Sequence, residues 1–304
     1  MSFPAPPLGP RTWLAWPLLG VAWLLARLPW ALQRSVGRGL GACLHVLLVG
    51  RRQVALRNVE LCFPELDERA RRDLVRAAFR ELGIGLFEFV RAWWGTLGEL
   101  EEHSAFEGLE HLRAAQEGGR GVILLSGHFV TLEMCGRLLC RHAPVAGMYR
   151  PHGQALLEWA VKRGRLRYAS MMFSREELRP ALRHLKGGGI LWFAPDQETR
   201  RGDSVFVPFF GHAAWSLTST HQLARLSGAA VLPFFHRRRT DGQGYDIRLG
   251  PALEGFPTAD AVADTARVMQ LVEAMVREAP AQYLWIHKRF KRRPEGAAPA
   301  YTGQ

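Results

Sequence analysis

A chain of 304 residues is long enough to bury a substantial core, so one α/β domain of about 250 residues with appendages is the first expectation. Its 40 Lys and Arg against 28 Asp and Glu leave a formal charge of +12, which calls for an anionic partner: nucleic acid, an acidic carrier protein or a phosphate-bearing membrane. The four cysteines, Cys43, Cys62, Cys135 and Cys140, form neither a C-x-x-C pair nor zinc spacing, so reduced, buried thiols are expected and no metal or disulfide framework is indicated.

The positive charge is concentrated early. No acidic residue precedes Glu60, whereas Arg11, Arg27, Arg34, Arg38, Arg51, Arg52 and Arg57 all do. Within that stretch TWLAWPLLGVAWLLARLPWAL, residues 12–32, is apolar over about the 20 residues a bilayer core requires, with tryptophans near both ends and a single charge, Arg27. The expectation is one transmembrane helix, with a signal peptide or a buried core helix as competing readings. The arginines that follow it place the body on the cytoplasmic side of the membrane.

Residues 33–57 alternate apolar and cationic character, as suits a helix against an anionic leaflet or an amphipathic helix of the body. Residues 67–94 carry Leu74, Ala78, Leu82, Leu86, Phe89 and Trp93 at spacings of three or four, a core-facing helical stripe. Beyond residue 105 the pattern alternates. Strands are predicted at 121–126, 144–149, 189–194, 229–235 and 244–249, and helices at 131–141, 154–164, 175–185, 216–227 and 259–278, with an irregular stretch up to Gly211. This is the signature of an α/β fold with a mostly parallel or mixed central sheet flanked by helices. The expected organisation is an anchor (1–32), a helical membrane-proximal region (33–104), an α/β body (105–296) and a flexible tail (297–304).

A histidine interrupts the junction between the apolar run GVILLS and the amphipathic run TLEMCGRLLC. On one helix His128 and Glu133 would point about 140° apart, so they can meet only if the histidine sits in the turn ahead of the helix. A turn at the carboxyl end of a strand is also where open α/β sheets place ligands. Other short matches carry no chemistry: KGGGI lacks phosphate-loop spacing, and neither G-x-S-x-G nor H-E-x-x-H occurs.

GHFVTLE has the H-x4-D/E arrangement of the glycerolipid-type acyltransferases. With MYRPH, LLEWAVKRGRLR, WFAPDQ, VFVPFFG, RLSGAAVLPFF and QYLWIHKRFKRRPEG following in order, the chain to about Gly296 resembles the late acyltransferases of lipid A biosynthesis, the lauroyl/myristoyl type. It departs from the family pattern at DQETRRG, residues 196–202.

The resemblance implies a glycerolipid-acyltransferase-like fold and transfer of a fatty acyl chain from acyl carrier protein to a hydroxyl of a 3-hydroxyacyl chain on the Kdo-lipid IVA precursor. His128 is then the general base and Glu133 its orienting carboxylate. Arg150 binds a phosphate or the developing charge, and Asp196 and Gln197 orient Arg150 or the sugar. Lys288, Arg289, Lys291, Arg292 and Arg293 engage the carrier or lipid phosphates. No cofactor, metal or nucleic acid is implied. The nearest alternative is an acyltransferase acting on a glycerophospholipid or another glycolipid. A more distant one is a non-catalytic basic binding protein at a membrane.

Overall fold

A computed structural model describes residues 5–199 and 202–301 of the chain. It opens with a 3-10 turn, Pro10–Ala15, followed by α1 (Trp16–Leu25), α2 (Trp30–Leu47) and α3 (Val49–Cys62). The expected transmembrane helix over 12–32 is not formed: α1 has only 10 residues, and no helix among the described residues is long and apolar enough to cross a membrane. Pro29 is the cause, because it lacks an amide hydrogen and serves as the N-cap of a new helix. Gln33 stabilises the break by donating to the carbonyls of Leu25 and Leu28.

A long helix follows, α4 (Glu68–Trp94), begun by Asp67, whose carboxylate accepts from the amide of Ala70. The predicted helix is present, but its inward face is offset. Val75, Ala78, Phe79, Ile84, Phe87 and Trp93 are buried, whereas Leu86, assigned to the stripe, is 44% exposed. The helix α2 crosses α4 on glycines. A Cβ on Gly83 would lie 2.1 Å from the carbonyl oxygen of Gly37, and one on Gly41 would lie 2.1 Å from that of Phe79.

The body contains α5 (Glu99–Glu102), β1 (Ala105–Glu107), α6 (Leu109–Glu117), β2 (Val122–Leu125), α7 (Leu132–Leu139), β3 (Val145–Tyr149) and α8 (Ala155–Arg165). It continues through β4 (Met172–Ser174), α9 (Leu178–Lys186), β5 (Ile190–Phe193), β6 (Ser204–Phe209), β7 (His212–Leu217) and α10 (Ser219–Ser227). The last elements are β8 (Ala230–Arg238), β9 (Tyr245–Leu249) and α11 (Ala261–Glu278). Seven strands form one sheet in the order β1-β9-β8-β2-β5-β3-β4, parallel at every pairing except β8 with β9. The mixed α/β sheet expected from the alternation is therefore observed.

Two local expectations fail. The stretch expected to be irregular forms the antiparallel hairpin β6–β7, and α10 starts at Ser219 rather than 216. The hairpin is held by Phe206 against Trp215, with ring centroids 4.8 Å apart, and turns through Phe210 and Gly211, both at positive φ. The tail is docked at least as far as it is described: the carbonyl of Ala300 accepts from Arg57, and the Tyr301 hydroxyl donates to Asn58.

Strand β2 is buried at all four positions, as a central parallel strand covered on both faces must be. Ile123 and Leu125 pack with Val268 and Val272 of α11 on one side of the sheet, while Val122 and Leu124 pack with Met134, Leu138 and Trp93 on the other. Between α4 and the sheet lies a buried polar cluster in which Arg238 donates to Glu88 and Glu81, and Tyr245 donates to Glu88.

Substituting Gly83 by Leu should destabilise the fold by about 3 kcal/mol or more, because rigid backbone occupies the space a side chain would need. Gly39→Ala, in the partner helix α2 but facing open space, should be neutral or slightly stabilising. Urea titration followed by tryptophan fluorescence of the detergent-solubilised protein compares the two.

Candidate active site

Parallel pairing of β2 with β5 sets Leu125 beside Phe193, so the turns that follow the two strands emerge side by side at one sheet edge. The first turn carries His128 and the second Asp196. Their side chains meet: His128 Nδ1 lies 2.6 Å from Asp196 Oδ1, and the His128 backbone amide donates to Asp196 Oδ2 at 3.0 Å. Tyr283 donates its hydroxyl to the same Oδ2 at 2.8 Å. With Nδ1–H donated to the carboxylate, the neutral imidazole carries its lone pair on Nε2. The His128 side chain is 30% exposed, whereas Asp196 is fully buried.

Burial opposes ionisation of Asp196. The opposite charge of His128, together with the hydrogen bonds from the His128 ring, its amide and Tyr283, outweighs that cost and holds the carboxyl down at about 2.

The turn is fixed from behind by the C-terminal segment. Leu284 donates its amide to the carbonyl of His128, Val130 donates to the carbonyl of Gln282, and Phe129 bridges to Tyr283. From β8, His236 lies 2.8 Å from the hydroxyl of Thr131, and burial pushes its imidazole down to about 3. His287 accepts the amide of Glu198 at 3.1 Å, and burial likewise pushes it down, to about 4. Both rings are therefore neutral supports near neutral pH.

Glu133, expected to orient His128, faces elsewhere. It lies in the first turn of α7, buried, and accepts from Arg165 Nε at 2.6 Å, from Trp93 Nε1 at 3.2 Å and from the Tyr168 hydroxyl. Asp196 occupies the histidine's Nδ1 instead. The physical reason is an excess of donors beside Glu133: Arg165 on α8 and the two aromatic donors claim the carboxylate before the turn can reach it.

The remaining expected residues divide. Arg150 follows β3 at the same sheet edge and is exposed, and Gln197 sits half-buried next to Asp196. The basic cluster is not one surface. Arg289 is buried and donates to the Trp215 carbonyl and to Ser216, so it cannot greet a partner, as expected of it; it braces β7. Arg292 pairs with Glu198 at 3.6 Å, Arg293 reaches the carbonyl of Ala213, and Lys288 lies over the Tyr301 ring. Lys291 is exposed. In the departing loop, Glu198 is tied down by the amide of Arg292, while positions 200 and 201 lie outside the described residues.

Beside the histidine runs an apolar groove of about 510 Å³, its open mouth included. Leu132, Glu133, Gly136, Leu139 and Cys140 of α7 and its C-terminal end line one wall, and Val145 to Met148 of β3 line another. Trp192 also lines it and stands edge-on to His128, with ring centroids 6.2 Å apart.

Tyr283, His287, His236, Arg165 and Tyr168 were not singled out as site residues by sequence reasoning. Tyr283 and His287 lie in QYLWIHKRFK and Arg165 in LLEWAVKRGRLR, blocks that stand out as wholes but do not say which member turns inward.

A partly exposed imidazole held by a buried carboxylate, next to an apolar groove, makes a site suited to proton transfer on a substrate with a long apolar part. The chain matches the family described as bacterial lipid A biosynthesis acyltransferase over residues 2–292. It is 39% identical to the lipid A biosynthesis lauroyltransferase of Escherichia coli K12 over 97% of this chain and 96% of the relative. It is 40% identical, with the same coverage, to the lipid A biosynthesis palmitoleoyltransferase of the same organism. The 1-acyl-sn-glycerophosphate (LPA) acyltransferase PlsC of Thermotoga maritima aligns over 77% of this chain and 96% of its own at 17% identity, with a TM-score of 0.39, a likeness too loose to add to the assignment. The chain belongs to the bacterial lipid A biosynthesis acyltransferases and is an acyltransferase.

The carboxyl of Asp196 is more acidic in the folded protein than its ordinary value of 3.8, so its bonds contribute stability that is complete above about pH 4 and is lost as the pH falls toward about 2. Wild type should therefore exceed Asp196→Asn by about 2 kcal/mol at neutral pH, a margin that narrows below pH 4. Thermal unfolding of both proteins across that range checks this.

Proposed function

We propose that the enzyme transfers a fatty acyl chain from acyl carrier protein to the hydroxyl of a 3-hydroxyacyl chain on the Kdo-lipid IVA precursor, with His128 as general base and Asp196 as its orienting carboxylate. What carries this reading is the 2.6 Å bond from His128 Nδ1 to a buried carboxylate, which leaves Nε2 free to take a proton at the sheet edge. Nε2 removes the hydroxyl proton as the oxygen attacks the thioester carbonyl. Collapse of the tetrahedral intermediate breaks the C–S bond, and the departing thiolate takes the proton back from the imidazolium. Asp196 stabilises that imidazolium while it exists, without taking its proton. No covalent enzyme intermediate is required.

The donor's acyl chain occupies the groove between α7 and β3, whose lining is almost wholly apolar. Glu133 is a positioning residue in this reading: it holds Arg165 and Tyr168 in the groove wall rather than orienting the base. Arg150 and Gln197 face the anionic acceptor, and Lys288, Lys291, Arg292 and Arg293 supply positive charge for the acidic carrier or for lipid phosphates.

The N-terminal region is the membrane-facing surface of a bacterial inner-membrane enzyme. Leu14 and Leu18 are 91% and 71% exposed, and Trp13, Trp23, Leu24, Leu32 and Val36 are exposed near them. With no acidic residue before Glu60, these apolar side chains are flanked by cations alone, a pairing suited to lying in the interface of an anionic leaflet.

His128→Ala should lower turnover by about 10² to 10⁴ with the fold intact. Asp196→Asn should cost a comparable factor and alter the pH–rate profile, whereas Glu133→Gln should keep that profile and lose stability, because it leaves Arg165 without its charge partner. Mass spectrometry of products formed by purified protein from carrier thioesters, with tetra-acylated precursor and lysophosphatidic acid supplied together as acceptors, provides the assay. A phosphatidic acid product with no acylated disaccharide would replace the acceptor assigned here, and unchanged turnover in Asp196→Asn would remove it from the mechanism.

Co-sedimentation with vesicles tests the interface. Leu14→Ser with Leu18→Ser should weaken binding to anionic vesicles at high salt, where screening removes the arginine contribution and apolar insertion alone remains.

A further inference from the structure

The wall that α7 contributes to the groove advances in helical steps, Leu132 and Glu133, then Gly136, then Leu139 and Cys140. These steps run away from the His128 turn, and the eight residue steps from 132 to 140 advance about 12 Å along the axis. Gly136 stands halfway.

A glycine inside a helix is unfavourable relative to alanine, and a close backbone contact is the usual reason to keep one. At Gly136 that reason is absent, since a Cβ built there would meet nothing within 4 Å. Gly83 and Gly41, by contrast, would each clash with backbone. The space in front of Gly136 is the groove itself. On the opposite wall Gly147 also lacks a side chain, and a Cβ there would lie 3.1 Å from the sulfur of Met172. The groove is thus kept open at mid-depth by an absent side chain, beyond the point where Glu133, Arg165 and Tyr168 fix its polar side.

We propose that Gly136 determines the acyl chain length this enzyme accepts, by leaving open the part of the groove that lies beyond the first turn of α7. The inference rests on the groove being the donor's acyl site. A side chain at position 136 closes the lower half, so a long chain loses the burial of its terminal methylenes while a short chain keeps all of its own. Each buried methylene is worth a several-fold change in affinity, which makes the profile of chain lengths a sensitive readout.

The test compares wild type, Gly136→Ala and Gly136→Leu in two assays. In the first, laurate, myristate and palmitate compete with a fluorescent fatty acid for the detergent-solubilised protein. In the second, the matching carrier thioesters compete in the transfer reaction.

Gly136→Leu should shift the laurate-to-palmitate preference at least tenfold toward laurate in both assays. Gly136→Ala should shift it less in the same direction and slightly raise the thermal midpoint, which shows that the position tolerates a side chain. If Gly136→Leu misfolds by circular dichroism, the alanine variant decides alone. An unchanged length preference in a folded variant in the fatty-acid assay overturns the proposal. Transfer absent in wild type, with the binding shift present, would overturn the acyl-transfer chemistry proposed above and leave the role of Gly136 standing.

Discussion

The arrangement of the site depends on one pairing, the parallel alignment of β2 with β5. Because the two strands end at the same level, the turns that leave them present His128 and Asp196 within one hydrogen bond of each other. A shift of register by one residue would turn every side chain of β2 to the opposite face and carry the histidine away from its carboxylate. Both strands are covered on both sides, so the packing that fixes register is the packing that fixes the position of His128. The geometry of the His128–Asp196 pair is in this sense a property of the core.

Around that pair the molecule keeps several charges out of water, each engaged by an opposite charge or by several hydrogen-bonding groups. Asp196 has three donors, Glu133 has an arginine and two aromatic donors, and Arg238 has two carboxylates. A buried ionised group without partners would neutralise or distort its surroundings. These clusters sit where helices α4, α7 and α8 meet the sheet, so they also fix how those helices lie. Glu133 is an instance: engaged from α8 and α4, it sets the wall of the groove, and the task of steering the imidazole passes to a strand-end aspartate.

The sequence made the sheet and the histidine turn legible because both depend on local pattern: an apolar run, then a polar turn, then helical spacing. The partner of His128 was not legible in the same way. Glu133 is five residues away and Asp196 is sixty-eight, and proximity along the chain favours the former although the strand order favours the latter. The short strands β1 and β4 escaped because three residues carry no periodicity. The hairpin β6–β7 escaped because Phe210 at positive φ hides its turn. The apolar content of residues 12–32 was read correctly and its continuity was not, since Pro29 divides it and Gln33 seals the division. Among the cations of HKRFKRR, composition cannot distinguish Arg289, turned inward to Ser216, from Lys291, which faces solvent.

The strap formed by residues 282–285 has a consequence for synthesis on the ribosome. The backbone of the histidine turn is held by Leu284, and the carboxylate that steers the ring is held by Tyr283. A growing chain can complete β2, α7 and β5 long before those residues leave the exit tunnel, and until then the turn lacks its support. The apolar N-terminal helices emerge first, and the sheet edge that carries His128 is finished last. The apolar N-terminal helices are therefore free of the ribosome well before the histidine turn gains its support.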